Sequence, residues 1–232
     1  MRRPERAGNP KQDTRISDLV VKRLLPDTDL YAILSSAHSR GRGNIETARL
    51  LLEAGVKIIQ YREKDFPPRQ KHAECLAIRE LCREFSVCFI VNDDALLAKS
   101  VAADGLHLGQ GDLDPAAARK IIGDDLILGH SVTTPAEVDH TLTLSTIDYL
   151  GVGPIFAATT TKPDAAAPGG LELLDYALRH SHLPVVAIGG LRLDNIAGVA
   201  RRGEVYLAMI SDLVGAKDIG RRVADIRATI SK

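Results

Sequence analysis

The sequence predicts a (β/α)8 barrel, and three observations carry that prediction. Eight short apolar runs alternate with helical patterns along one chain of 232 residues. A length of roughly 200–250 residues suits one such barrel as a single domain. The unusual polar residues sort to one place, just past the apolar runs, the end at which barrels carry their sites.

The elements follow in chain order. Residues 1–17 mix Arg, Pro, Gly and Asp without a hydrophobic period and read as a mobile polar leader. The barrel domain is assigned to 18–232, with a short helix over 19–25 covering its bottom. The first strand is placed at 30–34 (Leu-Tyr-Ala-Ile-Leu), with an amphipathic helix over 44–54. Strands at 56–60, 88–91, 105–108 and 126–129 precede helices at 69–85, 95–101, 115–122 and 135–142. Strands at 148–152, 184–188 and 205–209 precede helices at 171–178, 193–200 and 216–230. Apolar runs of this length between helical periods are the pattern of a parallel sheet. The rival, a doubly wound open sheet, carries GxGxxG after its first strand. Here that turn is Arg40-Gly41-Arg42-Gly43-Asn44, two glycines in a charged loop.

Composition narrows the function. Lys plus Arg and Asp plus Glu are 30 each, so there is no global basic field for nucleic acid and any anion is held by local charges. Cys75, Cys82 and Cys88 form no CxxC pair and read as small buried hydrophobes. There is no signal-peptide core and no apolar run of about 18 residues, so a cytoplasmic protein without a membrane partner is expected. Homo-oligomerisation is left open.

Chemistry concentrates after the strands. Asp93 and Asp112 follow neighbouring strands, so both carboxylates can reach one point. Hard oxygen donors without His or Cys suit Mg²⁺, which bridges to substrate phosphates. Asp94 is better read as the cap of the helix that follows it. Arg62, Lys64 and Lys162 add positive charge, and Asn92 and Ser131 add neutral hydrogen-bonding groups. With a divalent ion they form a set able to stabilise a leaving pyrophosphate. Alone, Arg62-Glu63-Lys64 would read as a solvated charge run; its company reverses that. Gly189-Gly190 and Ile210-Ser211 follow the seventh and eighth strands, where barrels bind a phosphate through backbone N–H groups.

Eight segments in order resemble the thiamine-phosphate synthase family: Gln-Tyr-Arg-Glu-Lys (60–64), Val-Asn-Asp-Asp (91–94), Asp-Gly-Leu-His-Leu-Gly-Gln-Gly-Asp (104–112), Gly-His-Ser (129–131), Gly-Pro-Ile-Phe (153–156), Thr-Thr-Thr-Lys-Pro-Asp (159–164), Ile-Gly-Gly (188–190) and Met-Ile-Ser (209–211). The resemblance implies condensation of 4-amino-5-hydroxymethyl-2-methylpyrimidine diphosphate with 4-methyl-5-(2-hydroxyethyl)thiazole phosphate to thiamine phosphate and pyrophosphate. It implies that Gln60, Tyr61, Arg62, Glu63, Lys64, Asn92, Ser131 and Lys162 contact the pyrimidine diphosphate, with Arg62, Lys64, Ser131 and Lys162 catalytic. Asp93 and Asp112 would hold Mg²⁺. Thr159, Thr160, Thr161, Gly189, Gly190, Ile210 and Ser211 would hold the thiazole phosphate. The implied mechanism is dissociative, with the thiazole nitrogen capturing a methylene cation, so no general base is needed. His107 and His130 are then structural, His107 pointing into the barrel or its rim.

The chain departs from the family in the segment 157–161, Ala-Ala-Thr-Thr-Thr, one residue longer than the family's Pro-Thr-x-Thr. Which threonine meets the phosphate stays open. The loop 157–170 is the candidate lid. A thiazole tautomerase on the same barrel would lack the paired aspartates and carry a histidine where Pro154 stands. A non-catalytic phosphate barrel would keep the glycines but need neither the aspartates nor the cations.

Overall fold

The computed structural model describes residues 25–157 and 170–231, so the leader and all but Leu25 of the covering helix lie outside them. Eight parallel strands close on themselves in chain order. They are β1 (Leu30–Leu34), β2 (Ile58–Tyr61), β3 (Cys88–Asn92), β4 (Gly105–Leu108), β5 (Ile127–Val132), β6 (Tyr149–Val152), β7 (Val185–Ile188) and β8 (Tyr206–Met209). Around them run α1 (Asn44–Glu53), α2 (Pro68–Glu84), α3 (Ala95–Ser100), α4 (Pro115–Ile122), α5 (Pro135–Leu142), α6 (Gly170–His180), α7 (Ile196–Ala200), α8 (Ser211–Val214) and α9 (Ile219–Ile230). No described helix is long and apolar enough to cross a membrane.

Strand alternation divides the apolar residues into two cores. Leu30, Ala32 and Leu34 of β1, Phe89 and Val91 of β3, and Leu128 of β5 pack outward against the helices. Tyr31, Ile33, Ile58, Ile90, Tyr149 and Val186 fill the barrel, joined by Leu25. Each such Leu or Ile, fully buried, contributes about 1.5–3 kcal/mol. Cys75 and Cys82 lie in the outer core and Cys88 in the inner one, as small buried hydrophobes should.

Three aspartates just before strands tie the barrel's N-terminal end to the helices. Asp104 accepts from the Phe89 backbone N–H and takes both guanidinium nitrogens of Arg79 on α2, at 2.7 and 2.8 Å. Asp148 repeats this one strand pair later, accepting from the Leu128 N–H and from Arg119 on α4. Asp29 accepts from the Leu30 N–H and from Arg227 on α9. The result is a rigid base beneath the face on which the polar clusters sit.

Boundaries shift where side chains cap. Val56 belongs not to β2 but to the end of α1: Gly55 (φ 79°) and Val56 donate to Leu52 and Leu51 carbonyls, a helix-terminating pair of bonds. The helix expected over 193–200 begins only at Ile196, because the Asn195 carboxamide accepts from Arg192 N–H and donates to the Gly190 carbonyl. The single closing helix expected over 216–230 is two, α8 and α9. Asp218 caps α9 by accepting from the Arg221 N–H at 2.9 Å. Strand β5 continues past Gly129 to Val132, which places His130 and Ser131 inside the sheet.

Candidate active site

At the C-terminal ends of the strands one cavity of about 540 Å³ opens. Gln60, Arg62, Lys64, Asn92, Asp93, Asp112, Ser131, Gly189, Gly190, Ile210 and Ser211 all line it, so eleven of the residues singled out in the sequence converge on one space. Thr159, Thr160, Thr161 and Lys162 lie outside the described residues, as does the candidate lid apart from its two ends.

Two residues of the 60–64 segment do not reach the cavity, and the reason is strand periodicity. Gln60, Arg62 and Lys64 are spaced by two and point inward; Tyr61 and Glu63 point the other way. The Tyr61 hydroxyl donates to Glu74 of α2 at 3.0 Å, and the ring is buried between sheet and helix. Glu63 accepts from the Ser36 N–H and from the Asn44 carboxamide at 2.9 Å. Asn44 donates also to Glu74 at 2.8 Å. Away from the cavity, Tyr61 and Glu63 are thus engaged in a partly buried anchor. It binds the loop after β2 to the loop after β1.

Asp93 sits at φ 64°, a left-handed conformation that Asp tolerates better than most residues. Its N–H donates to the His107 carbonyl at 2.8 Å, ending the β3–β4 ladder. Its carboxyl lies within hydrogen-bonding reach of Asp112, which is itself fixed by the Gly109 N–H at 2.7 Å. Burial, and then the neighbouring Asp112, push the Asp93 carboxyl up to about 7, against the pull of Arg62 and Lys64. Two carboxylates this close do not both ionise readily without a cation. Among the described residues no group of three or more His, Cys, Asp or Glu side chains gathers to hold a metal. A pair of hard oxygen donors fits Mg²⁺, which keeps its waters and takes substrate oxygens. Asp94 meanwhile caps α3, accepting from Leu97 N–H at 2.8 Å, as its position suggested.

Neither Arg62 nor Lys64 forms an ion pair with a described carboxylate. Ser131 is held from two sides: its Oγ is 2.9 Å from His107 Nε2, and its carbonyl accepts from Gln110 Nε2 at 2.8 Å. His107 points into the barrel as expected. His130 faces outward, its Nδ1 lying 3.2 Å from Thr141 Oγ1, and burial lowers its pKa.

Across the cavity, Gly189 (φ 102°) and Gly190 (φ 65°) turn the chain after β7. A methyl group on Gly189 would stand 2.6 Å from Pro154 Cα, and one on Gly190 2.8 Å from the Phe156 carbonyl oxygen. Close packing alone thus demands glycine at both positions. The loop is tied to its neighbour through Asp212 of α8, which accepts from the Leu193 N–H at 3.1 Å and pairs with Arg222 at 3.2 Å. The arrangement offers a cationic, carboxylate-bearing side and a mainly backbone side.

Sequence reading noted Gln110 only within the segment 104–112 and missed Tyr31 and Tyr149 on the cavity wall. Nothing in their local pattern separates them from core or loop residues.

Comparison with known proteins shows the family and the fold. The family model for thiamine monophosphate synthase matches residues 30–213. A thiamine-phosphate synthase of Pelotomaculum thermopropionicum is 48% identical over 208 residues, covering 90% of this chain and 94% of that one. One from Dictyoglomus thermophilum is 40% identical, covering 88% and 90%. Among solved structures, a thiamine phosphate pyrophosphorylase from Pyrococcus furiosus is similar at a TM-score of 0.79 and 32% identity, covering 90% of this chain and 96% of that one.

Proposed function

Because the chain belongs to the thiamine monophosphate synthase family, we propose that its cavity is the site of a Mg²⁺-dependent condensation of 4-amino-5-hydroxymethyl-2-methylpyrimidine diphosphate with 4-methyl-5-(2-hydroxyethyl)thiazole phosphate. The chain is accordingly an enzyme, a transferase acting on small phosphorylated substrates. The observation that carries the site assignment is the convergence of the Asp93–Asp112 pair with Arg62 and Lys64 at one wall of a single cavity.

Each group then has a task. Asp93 and Asp112 would hold Mg²⁺, which when bound supplies charge neutralisation at the diphosphate. Arg62 and Lys64, with Lys162 by resemblance, face the non-bridging oxygens, where charge grows as the carbon–oxygen bond breaks. Asn92 and Ser131 donate or accept at the same oxygens, and Gln60 faces the pyrimidine ring. The bonding pair departs with pyrophosphate, and the thiazole nitrogen gives its lone pair to the methylene carbon. That nitrogen has no proton to lose, so the cavity needs no base; alignment of the two rings is the remaining requirement. The turns at Gly189-Gly190 and Ile210-Ser211, with one or more of Thr159, Thr160 and Thr161, would take the thiazole phosphate. Loss of the paired acids is the mark of the tautomerase alternative, and here the pair is intact.

Purified protein mixed with both substrates and Mg²⁺ is expected to form thiamine phosphate and pyrophosphate, and to stop on addition of EDTA. Absence of product at saturating substrates and metal would sink the assignment.

A further inference from the structure

Beneath the polar rim, side chains from five strands form one continuous line of hydrogen bonds. Gln60 Nε2 lies 2.8 Å from the Tyr31 hydroxyl, which lies 2.9 Å from the Tyr149 hydroxyl. Tyr149 Oη is 2.8 Å from His107 Nδ1, and His107 Nε2 is 2.9 Å from Ser131 Oγ. The interior is cleared for this line. A methyl group on Gly129 would stand 2.1 Å from Tyr149 Cζ, and one on Gly151 2.8 Å from His107 Cε1. Neither ring could occupy its place beside an alanine.

The line has a direction. An amide nitrogen only donates, so the Tyr31 oxygen accepts from Gln60 and turns its own proton to Tyr149. Tyr149 is fully buried; its oxygen accepts from Tyr31, and the acceptor within reach of its proton is His107 Nδ1. That nitrogen must then be bare. The single proton of the neutral ring sits on Nε2 and is given to Ser131 Oγ. Since Ser131 already accepts from below, its own hydrogen turns towards the cavity. A doubly protonated imidazole would leave the Tyr149 proton buried without an acceptor, which the line resists.

We propose that Tyr149 is a positioning residue which, through His107, presets the Ser131 hydroxyl as a hydrogen-bond donor to the departing diphosphate. The proposal rests on the function assigned above. It makes His107 the link that carries a constraint from the barrel's interior to its mouth.

The test combines tautomer and kinetics on the full chain. In ¹⁵N NMR without substrates, wild-type His107 is expected to be wholly Nε2–H. Tyr149→Phe keeps the ring beside Gly129 but leaves the Tyr31 proton without its acceptor, so it should lower the melting temperature by a few degrees without unfolding the protein, while populating the Nδ1–H form. Its kcat should fall about tenfold, a fraction of what losing a donor outright costs, with both KM values within about twofold. In a Ser131→Ala background the same change should cost nothing further, because the two act as a unit. An Nδ1–H ring in the wild-type protein, or additive losses in the double variant, overturns the proposal. Should Tyr149→Phe not fold, the wild-type tautomer still decides. The tautomer is read on the free protein, so failure of the proposed reaction would not be mistaken for failure of the line.

Discussion

At the scale of single residues, the 60–64 segment separates what contacts the cavity from what supports it. Tyr61 and Glu63 have the same neighbours in sequence as Gln60, Arg62 and Lys64, yet the two-residue period of the strand turns them to the helices. Tyr61→Phe removes one hydrogen bond to Glu74 and should lower stability by about 1 kcal/mol with kcat and both KM values within about twofold. Arg62→Ala should instead lower turnover about a hundredfold or more, in line with loss of a preorganised charge, with little change in the urea midpoint. Equal kinetic damage from the two would put Tyr61 in the site after all. Asp93 carries a second expectation, from its carboxyl at about 7 in the fold against 3.8 for an unperturbed carboxylate. The folded protein holds that proton longer than the unfolded chain does. The neutral group's favourable contribution is therefore complete below about pH 4 and is lost as pH rises through 7. Mg²⁺ competes with the same proton, so its affinity should climb towards pH 7 and level off above it. Calorimetric titration with Mg²⁺ from pH 5.5 to 8.5 checks this. An Asp93→Asn variant with the same pH dependence would show that the proton sits elsewhere.

At the scale of elements, Asp94 was legible as the cap of α3, but the caps of α4 and α9 and several helix ends were not. Asp94, Asp114 and Asp218 each accept from the first turn of the helix that follows, the ordinary work of an N-cap, yet an unremarked Asp218 let the last helix be read from 216. The ends of α2 and α3 hide their signal. Ser86 (φ 55°) and Ala102 (φ 50°) occupy the left-handed position that Gly55 fills after α1. The same pair of bonds closes each helix: Ser86 and Val87 donate to Arg83 and Cys82, Ala102 and Ala103 to Lys99 and Ala98. Serine and alanine carry no warning of such a turn in sequence. A left-handed residue with a Cβ costs about 1–2 kcal/mol, and glycine's extra freedom in the unfolded chain offsets part of that. Ser86→Gly and Ala102→Gly should each stabilise the protein by about 0.5–1 kcal/mol, read from urea unfolding at unchanged slope. A destabilised Ala102→Gly would mean that the alanine methyl makes a contact worth more than the strain.

For the whole molecule, the pattern of eight alternations made the barrel readable, and it placed Asp93, Asp112 and the glycine turns at one end. What no window of sequence could show is convergence across the closed sheet. Tyr31 and Tyr149 are 118 positions apart, and each alone looks like a core aromatic. The Arg79, Arg119 and Arg227 clamps escape for the same reason, since helix arginines ordinarily read as solvated. Closure also removes every sheet edge among the eight strands, so no strand can peel away without breaking two ladders. The three cysteines test how far that cooperativity extends to the helices. All are buried, and burial pushes Cys75 and Cys82 up to about 12 and Cys88 higher still, which leaves almost no thiolate to react near neutral pH. Cys75 and Cys82 lie on α2 and Cys88 inside the barrel. If helix and sheet open together, all three should react with a thiol reagent at one rate, matching global unfolding measured in the same buffer. Faster labelling at Cys75 and Cys82 than at Cys88 would show that α2 detaches while the barrel stays closed. The anchor from Tyr61 through Glu74 to Asn44 would then be the weak joint, and Tyr61→Phe should widen the gap between the two rates.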